Sequence, residues 1–320
     1  MDLAEQRIWV TGGTGFLGRH VCAHLRDRGC RDLYAPSSRE CDLLEPGRID
    51  RALEEFRPDI VLHLAARVGG IGANLAHPAE YFYTNLMMGV PLMHRAWQAG
   101  VRKFVALGTI CAYPKFTEIP FREEHLWDGY PEETNAPYGL AKKTLLVQAQ
   151  AYRSQYGFNA IYLLPVNLYG PGDNFDPEGS HVIPALIRKF AEARDQGRDE
   201  VVCWGHGECT REFLYVEDAA EGICLAAEHY DGAQPVNLGS GREVTIRELA
   251  EMIRRLVGYQ GRLTWDASRP SGQPRRRLDT SRAEEYFGFR AHTPLEEGLQ
   301  RTVAWFEAHR RELDGGEVAR

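Results

Sequence analysis

A short apolar run, Ile8-Trp9-Val10, leads directly into Thr11-Gly12-Gly13-Thr14-Gly15-Phe16-Leu17-Gly18 and then into the amphipathic stretch RHVCAHLRDRG. This order of strand, glycine turn and helix constrains the fold more than any other feature of the chain. The glycines read as G-x-x-G-x-x-G from Gly12 or as G-x-G-x-x-G from Gly13, and either lets the backbone approach a pyrophosphate closely. The following helix offers free N–H groups and the positive end of its dipole to the same anion. Turns and tight helix packing also select glycine. The motif gains its weight from its place after the first strand and from Phe16-Leu17 facing back onto a sheet.

The alternation continues through DLYAPS, RIDRALEEFRPD, IVLHLAA, a long helical segment to Gly100, KFVALGT, the helix YGLAKKTLLVQAQAYRSQYG with its glycine stop, and AIYLLPVNLYG. This spacing predicts an α/β fold with a doubly wound parallel sheet of the Rossmann type. Beyond Pro171 come a loop, GPGDNFDPEGSH, then the helix VIPALIRKFAEARDQG, strand-like VVCWG and PVNLG around REFLYVEDAAEGICLAAEHY, and two amphipathic helices, TIRELAEMIRRLVG and LEEGLQRTVAWFEAHRREL. We expect a dinucleotide-binding domain over 1–166, completed by part of 200–240. A second, smaller α/β substrate-binding domain is expected over 167–199 and 241–320, interleaved with the first, with a cleft at the carboxyl ends of the strands.

Composition narrows the partners. The net charge is −7 and the 38 basic residues are dispersed, which argues against nucleic acid. The densest basic cluster, Arg275-Arg276-Arg277, reads equally as a solvated turn or as a ligand for a diphosphate. The seven cysteines are odd in number and form no C-x-x-C pair, so neither a disulfide framework nor a metal site is indicated, and a reducing cytoplasm is the expected compartment. No leader pattern and no membrane-length apolar run is present, so no membrane partner is expected.

Tyr138 and Lys142 stand four residues apart at the start of a helix, on one face and one turn from each other. An ammonium beside a phenol, reinforced by a cationic nicotinamide, lowers the phenol pKa and makes it a usable proton donor or acceptor. Thr109, at the end of FVALGT, can orient the same carbonyl oxygen. At the end of the second strand, where an acidic residue would favour NAD, the sequence has Ser37-Ser38-Arg39, which suits the 2′-phosphate of NADP. Asp42 and Leu43 are candidates for the adenine pocket, and Leu64-Ala65-Ala66 for the wall along the cofactor.

Taken together these motifs resemble the extended short-chain dehydrogenase/reductases, and within them the GDP-L-fucose synthase family. The segments carrying the likeness are HLAARVGGIGAN (63–74), LGTICAYPK (107–115), NAPYGLAKK (135–143), NLYGPGDNF (167–175), SHVIPALIRKF (180–190) and WGHGECTREFLYVED (204–218). The resemblance implies 3,5-epimerisation followed by NADPH-dependent reduction of a GDP-4-keto-sugar, with Cys111 and His181 as the epimerisation pair. Taken alone, Cys111 would read as a small buried apolar residue and His181 as a loop histidine; the two local motifs reverse that.

By the same likeness Gly12, Gly15, Phe16, Leu17, Gly18, Pro165, Asn167, Leu168 and His181 line the cofactor. Asn167, Lys189, Trp204, Arg211 and Arg276 are placed at the substrate. The resemblance also implies a homodimer, formed through the helix before Gly100 and the helix carrying Tyr138. Three departures stand out: Thr109-Ile110 replaces a Ser-Ser pair, Thr14 stands where some relatives carry arginine, and Lys189 replaces an arginine. They leave open a related GDP-4-keto-sugar such as a 4-keto-heptose, or another base on the nucleotide; a separate reading, from another class, is a non-catalytic NADP-binding sensor.

Overall fold

The computed structural model describes residues 1–177, 179–268 and 273–314. Positions 178, 269–272 and 315–320 of the expected substrate region lie outside the described residues. In chain order the elements are β1 (Ile8–Thr11), α1 (Phe16–Asp27), β2 (Leu33–Tyr34), α2 (Pro46–Phe56), β3 (Ile60–His63), α3 (Ile71–Ala76), α4 (Pro78–Gln98), β4 (Lys103–Leu107), α5 (Ala136–Tyr156), β5 (Ala160–Pro165) and β6 (Asn167–Tyr169). They continue with α6 (Val182–Asp195), β7 (Glu200–Trp204), β8 (Thr210–Tyr215), α7 (Val216–His229), β9 (Val236–Leu238), β10 (Glu243–Thr245), α8 (Ile246–Val257), β11 (Arg262–Asp266), α9 (Ser281–Phe287) and α10 (Leu295–Asp314).

The expected doubly wound sheet is present, in the order β2-β1-β3-β4-β5-β9, with every pairing parallel. Every residue of β1, β3, β4 and β5 is buried, which explains why these strands read as unbroken apolar runs rather than alternating ones. Thr11 pairs with His63, His63 with Ala106, and Leu107 with Leu163, so the loops leaving these strands emerge at one edge. The order reverses beside β1, and the crevice at such a switch is where open α/β sheets bind ligands. A mixed sheet β10-β8-β6 and a parallel pair β11-β7 build the second layer.

Two hydrophobic cores result. The first gathers β1 to β5 with α1, α2, α4, α5, α7, β9 and α9; the second gathers α6, β7, β8, α8 and α10. Local chemistry sets several boundaries. α5 stops at Gly157 in the left-handed region (φ 66°), and α8 opens with a Thr245/Glu248 capping box and stops at Gly258 (φ 79°). The single long helix expected before Gly100 is two, because Pro78 starts α4 afresh at its first turn.

The loop after β6 buries Asp173. Its Oδ1 accepts the Asn174 N–H at 2.7 Å, while its buried Oδ2 has no hydrogen-bond partner among the described residues. Burial pushes this carboxyl up to about 7. The folded protein therefore holds a proton that the unfolded chain loses near pH 4. The resulting stability is full below that pH and is lost as pH rises through about 7. Asp173→Asn is expected to gain a few degrees of Tm relative to wild type at pH 8, and little or nothing at pH 4, in thermal unfolding at the two pH values. A difference that stays constant with pH would show that the carboxyl is not the titrating group.

Candidate active site

The glycine turn joins β1 to α1 at the switch edge. Gly12 takes a left-handed conformation (φ 69°), and Gly15 caps α1 without a side-chain bond, so the first-turn N–H groups point outward unpaired within the helix. A Cβ on Gly18 would lie 2.0 Å from the Gly12 carbonyl oxygen. Gly18→Ala is therefore expected to distort the turn, costing about 1–3 kcal/mol of stability and weakening dinucleotide binding at least tenfold, measured by nucleotide fluorescence titration.

Behind the turn, Thr11 Oγ1 is hydrogen-bonded to His63 Nδ1 (2.9 Å) and accepts the Ala65 N–H (3.3 Å), tying the loop to Leu64-Ala65-Ala66. His63 is fully buried, and burial, with the Lys142 charge nearby, keeps its pKa well below the usual imidazole value, so the ring is neutral.

After β2, Ser37 donates from N and Oγ to the Glu40 carboxylate (2.8 Å each), which fixes the turn on which Ser38 and Arg39 stand exposed. Asp42 Oδ1 accepts the Leu44 N–H at 2.9 Å, and Leu43 is buried beside it. Pro165 is buried and Leu168 half-buried, at the end of β5 and in β6. Asn167 turns its amide to the Glu212 carbonyl (3.0 Å). A side-chain-free backbone cradle at a helix N-terminus, facing an exposed Ser-Arg turn, fits a dinucleotide carrying a further phosphate on its ribose.

The second cluster forms where β4 ends. Thr109 caps a one-turn 3₁₀ helix, Ile110–Ala112, by accepting the Cys111 N–H at 3.2 Å. α5 lies directly on this turn: a Cβ on Gly139 would be 2.3 Å from the Cys111 carbonyl oxygen. Tyr138 is thereby placed against Thr109, whose side chain hydrogen-bonds to it.

The phenol pKa is not depressed here. Burial raises it, and the Thr109 bond offsets that only in part. One turn on, Lys142 is buried, and desolvation brings its ammonium down to about 8. Thr109, Cys111, Tyr138 and Lys142 thus share one end of the cleft.

The remaining expected residues come from the other side. His181 caps α6 and stands exposed to water in the cleft, yet the surrounding protein lowers its pKa. Its segment meets the Val68-Gly69-Gly70-Ile71 loop through the bond from Gly70 N to Gly179 O (3.3 Å). Lys189 donates to the Val202 carbonyl, and Trp204 is 53% exposed at the end of β7. Arg211 donates to the Thr210 carbonyl at 2.7 Å. The three consecutive arginines diverge: Arg275 makes a fork to Glu243 (2.9 and 2.6 Å), Arg277 is half-buried, and Arg276 turns inward with Nη1 3.6 Å from Cys111 Sγ.

Residues 8–239 match the model of the NAD dependent epimerase/dehydratase family. GDP-L-fucose synthase 1 of Arabidopsis thaliana is 41% identical over 306 residues, covering 96% of this chain and 94% of the relative. The chain belongs to the NAD dependent epimerase/dehydratase family. As expected for this family, solved members superpose closely. A GDP-6-OMe-4-keto-L-xylo-heptose reductase from Campylobacter jejuni gives a TM-score of 0.90 at 28% identity, with 96% of this chain and 99% of that one covered. A GDP-L-fucose synthetase from Naegleria fowleri bound to NADP gives 0.85 at 28%, with 95% and 94% covered.

Three further residues of this epimerase/dehydratase family member matter to the site and are not singled out by the sequence motifs. His63 holds the glycine loop through Thr11, and Gln273 holds Arg276. Glu212 is buried with its pKa raised to about 7, and it accepts the N–H groups of Leu278 (2.6 Å) and Gly241 (2.8 Å). Strand alternation could have found Glu212, since it must face away from its neighbour Arg211.

Proposed function

We propose that this chain epimerises GDP-4-keto-6-deoxy-D-mannose at C3 and C5 and then reduces the 4-keto group with NADPH, giving GDP-L-fucose. The observation carrying this reading is that a thiol and a phenol meet at Thr109, whose side chain bonds both the Cys111 N–H and Tyr138. A 4-keto group acidifies the protons on C3 and C5. Cys111 as thiolate removes one of them, and His181 as imidazolium returns a proton from the opposite face. Tyr138 and Thr109 hold the developing charge on O4 during each enolisation.

In the reductive step NADPH supplies hydride to C4. Tyr138 gives its proton to O4, and Lys142, close enough to neutrality to shuttle protons, restores it. The family relationship and the glycine cradle support NADP at Gly12, Gly15, Phe16, Leu17, Gly18, Ser38, Arg39, Asp42, Leu43, Leu64, Ala65, Ala66, Pro165 and Leu168. Asn167, Lys189, Trp204 and Arg211 are proposed on the substrate side.

The two cores are proposed to be the cofactor unit and the substrate unit. A homodimer through α4 and α5 is supported by their exposed Phe82, Tyr83, Val147 and Tyr156. Among the described residues no helix is long and apolar enough to cross a membrane, and all seven cysteines are free, which suits a cytoplasmic enzyme. Arg39→Ala is expected to weaken NADPH binding about tenfold while leaving NADH unchanged, because only the 2′-phosphate is lost as a partner.

The deciding experiment incubates the protein with the 4-keto sugar in deuterated water, with and without NADPH. Deuterium at C3 and C5 together with NADPH oxidation supports the bifunctional reading. Oxidation without exchange removes Cys111 and His181 from the chemistry and favours a reductase. The Campylobacter likeness and Ile110 make a GDP-4-keto-heptose the next substrate to try.

A further inference from the structure

Arg276 is held in a way that a diphosphate ligand does not require. It is only 6% exposed, and its Nε donates to Gln273 Oε1 at 2.9 Å. Gln273, 4% exposed, donates in turn to the carbonyls of Lys115 (2.6 Å) and Pro114 (3.3 Å). Those carbonyls lie three and four residues beyond Cys111, so the stretch that carries the thiol also anchors the arginine aimed at it. Nη1 completes the ring at 3.6 Å from Sγ.

We infer that Arg276 holds and charge-compensates the Cys111 thiolate during proton abstraction, with Gln273 as its positioning residue. The inference rests on the assignment of Cys111 as the carbon-acid base. It moves Arg276 from the diphosphate, where the sequence places it, to the epimerisation half of the reaction.

The charges around the sulfur agree. Arg211 reaches the same place from β8, Tyr138 faces it from α5 as a neutral phenol, and Glu132 faces Arg211. Arg211 is itself brought down to about 10 by burial and by the Arg276 charge. Two crowded guanidiniums are tolerated only beside negative charge. When Cys111 loses its proton that charge appears within reach of both; when the thiolate takes the substrate's proton it becomes a neutral thiol and the charge disappears. A fork that is already anchored needs no rearrangement at that moment.

The test compares wild type, Arg276→Gln and Arg276→Lys in three measurements. These are GDP affinity, the rate of iodoacetamide alkylation at Cys111 followed by peptide mass with Cys209 as internal control, and deuterium exchange into the sugar. The inference expects Arg276→Gln to bind GDP within about twofold of wild type. Alkylation at Cys111 should slow about tenfold and exchange by about 10- to 100-fold, with KM little changed. Arg276→Lys should recover part of both rates, which loss of packing alone would not produce.

Weakened GDP binding with unchanged alkylation overturns the inference and returns Arg276 to the diphosphate. Alkylation and GDP binding need no sugar turnover. Failure of wild type to exchange deuterium would therefore count against the proposed function while the assignment of Arg276 is still decided. Should Arg276→Gln not fold, Arg276→Lys carries the same comparison: alkylation at the wild-type rate with weakened GDP binding overturns the inference, and slowed alkylation with intact GDP binding supports it.

Discussion

Tyr138→Phe is expected to lower kcat for 4-keto reduction by about 10³-fold, with Tm and NADPH affinity close to those of the wild type. The substitution deletes one oxygen and keeps the ring that packs on the turn at Thr109. The Thr109 hydroxyl, which accepts the Cys111 N–H, is an alcohol too weakly acidic to replace the phenol, and Lys142 lies one turn further along α5 and is buried. Because the same phenol steadies the enolate oxygen, exchange at C3 and C5 should slow as well, though by less, since Thr109 remains. Single-turnover NADPH oxidation and exchange in deuterated water measure the two effects separately. A fall of less than tenfold in the reductive step would mean that a bound water, not Tyr138, protonates O4.

Cys111→Ala should produce the complementary split. Exchange at both carbons is expected to fall by about 10³-fold, while oxidation of NADPH by the 4-keto sugar continues within about tenfold of wild type. The side chain is half-buried in a one-turn helix whose shape is fixed by backbone bonds to Thr109 and by the contact with Gly139, so removing a sulfur leaves the turn intact. The variant also leaves Arg276 facing an empty place where its partner was. A modest loss of Tm is expected from that lost contact. Equal loss of both activities would show that the thiol shapes the site rather than removing protons.

The parts of this protein that could be read from sequence are those specified within a few residues. The glycine turn, Tyr138 with Lys142, and the strands IWV, IVL, FVAL and IYLL each carry their own signal, the strands because burial on both faces leaves them wholly apolar. What escaped was set by distant partners. β11 pairs with β7 some sixty residues earlier and is half-exposed. α9, seven residues long, is too short for periodicity to declare.

The three arginines show the same limit. Glu243 draws Arg275 outward and Gln273 turns Arg276 inward, and nothing in the triplet distinguishes the two. The phenol of Tyr138 is instructive in the other direction. Spacing predicts its neighbour but not the surrounding dielectric, and burial outweighs the effect expected from the lysine.

The chain passes between its two cores repeatedly: from Val166 to Tyr169, from Tyr215 to Ala219, from Leu238 to Val244, from Trp265 to Leu278, and from Phe289 to Leu295. A protein laced in this way has no single point at which it could be cut into a nucleotide-binding piece and a sugar-binding piece. Exchanging one half for that of a relative would require several simultaneous splices. New sugar specificity is therefore far easier to reach by point changes on the cleft walls than by recombination.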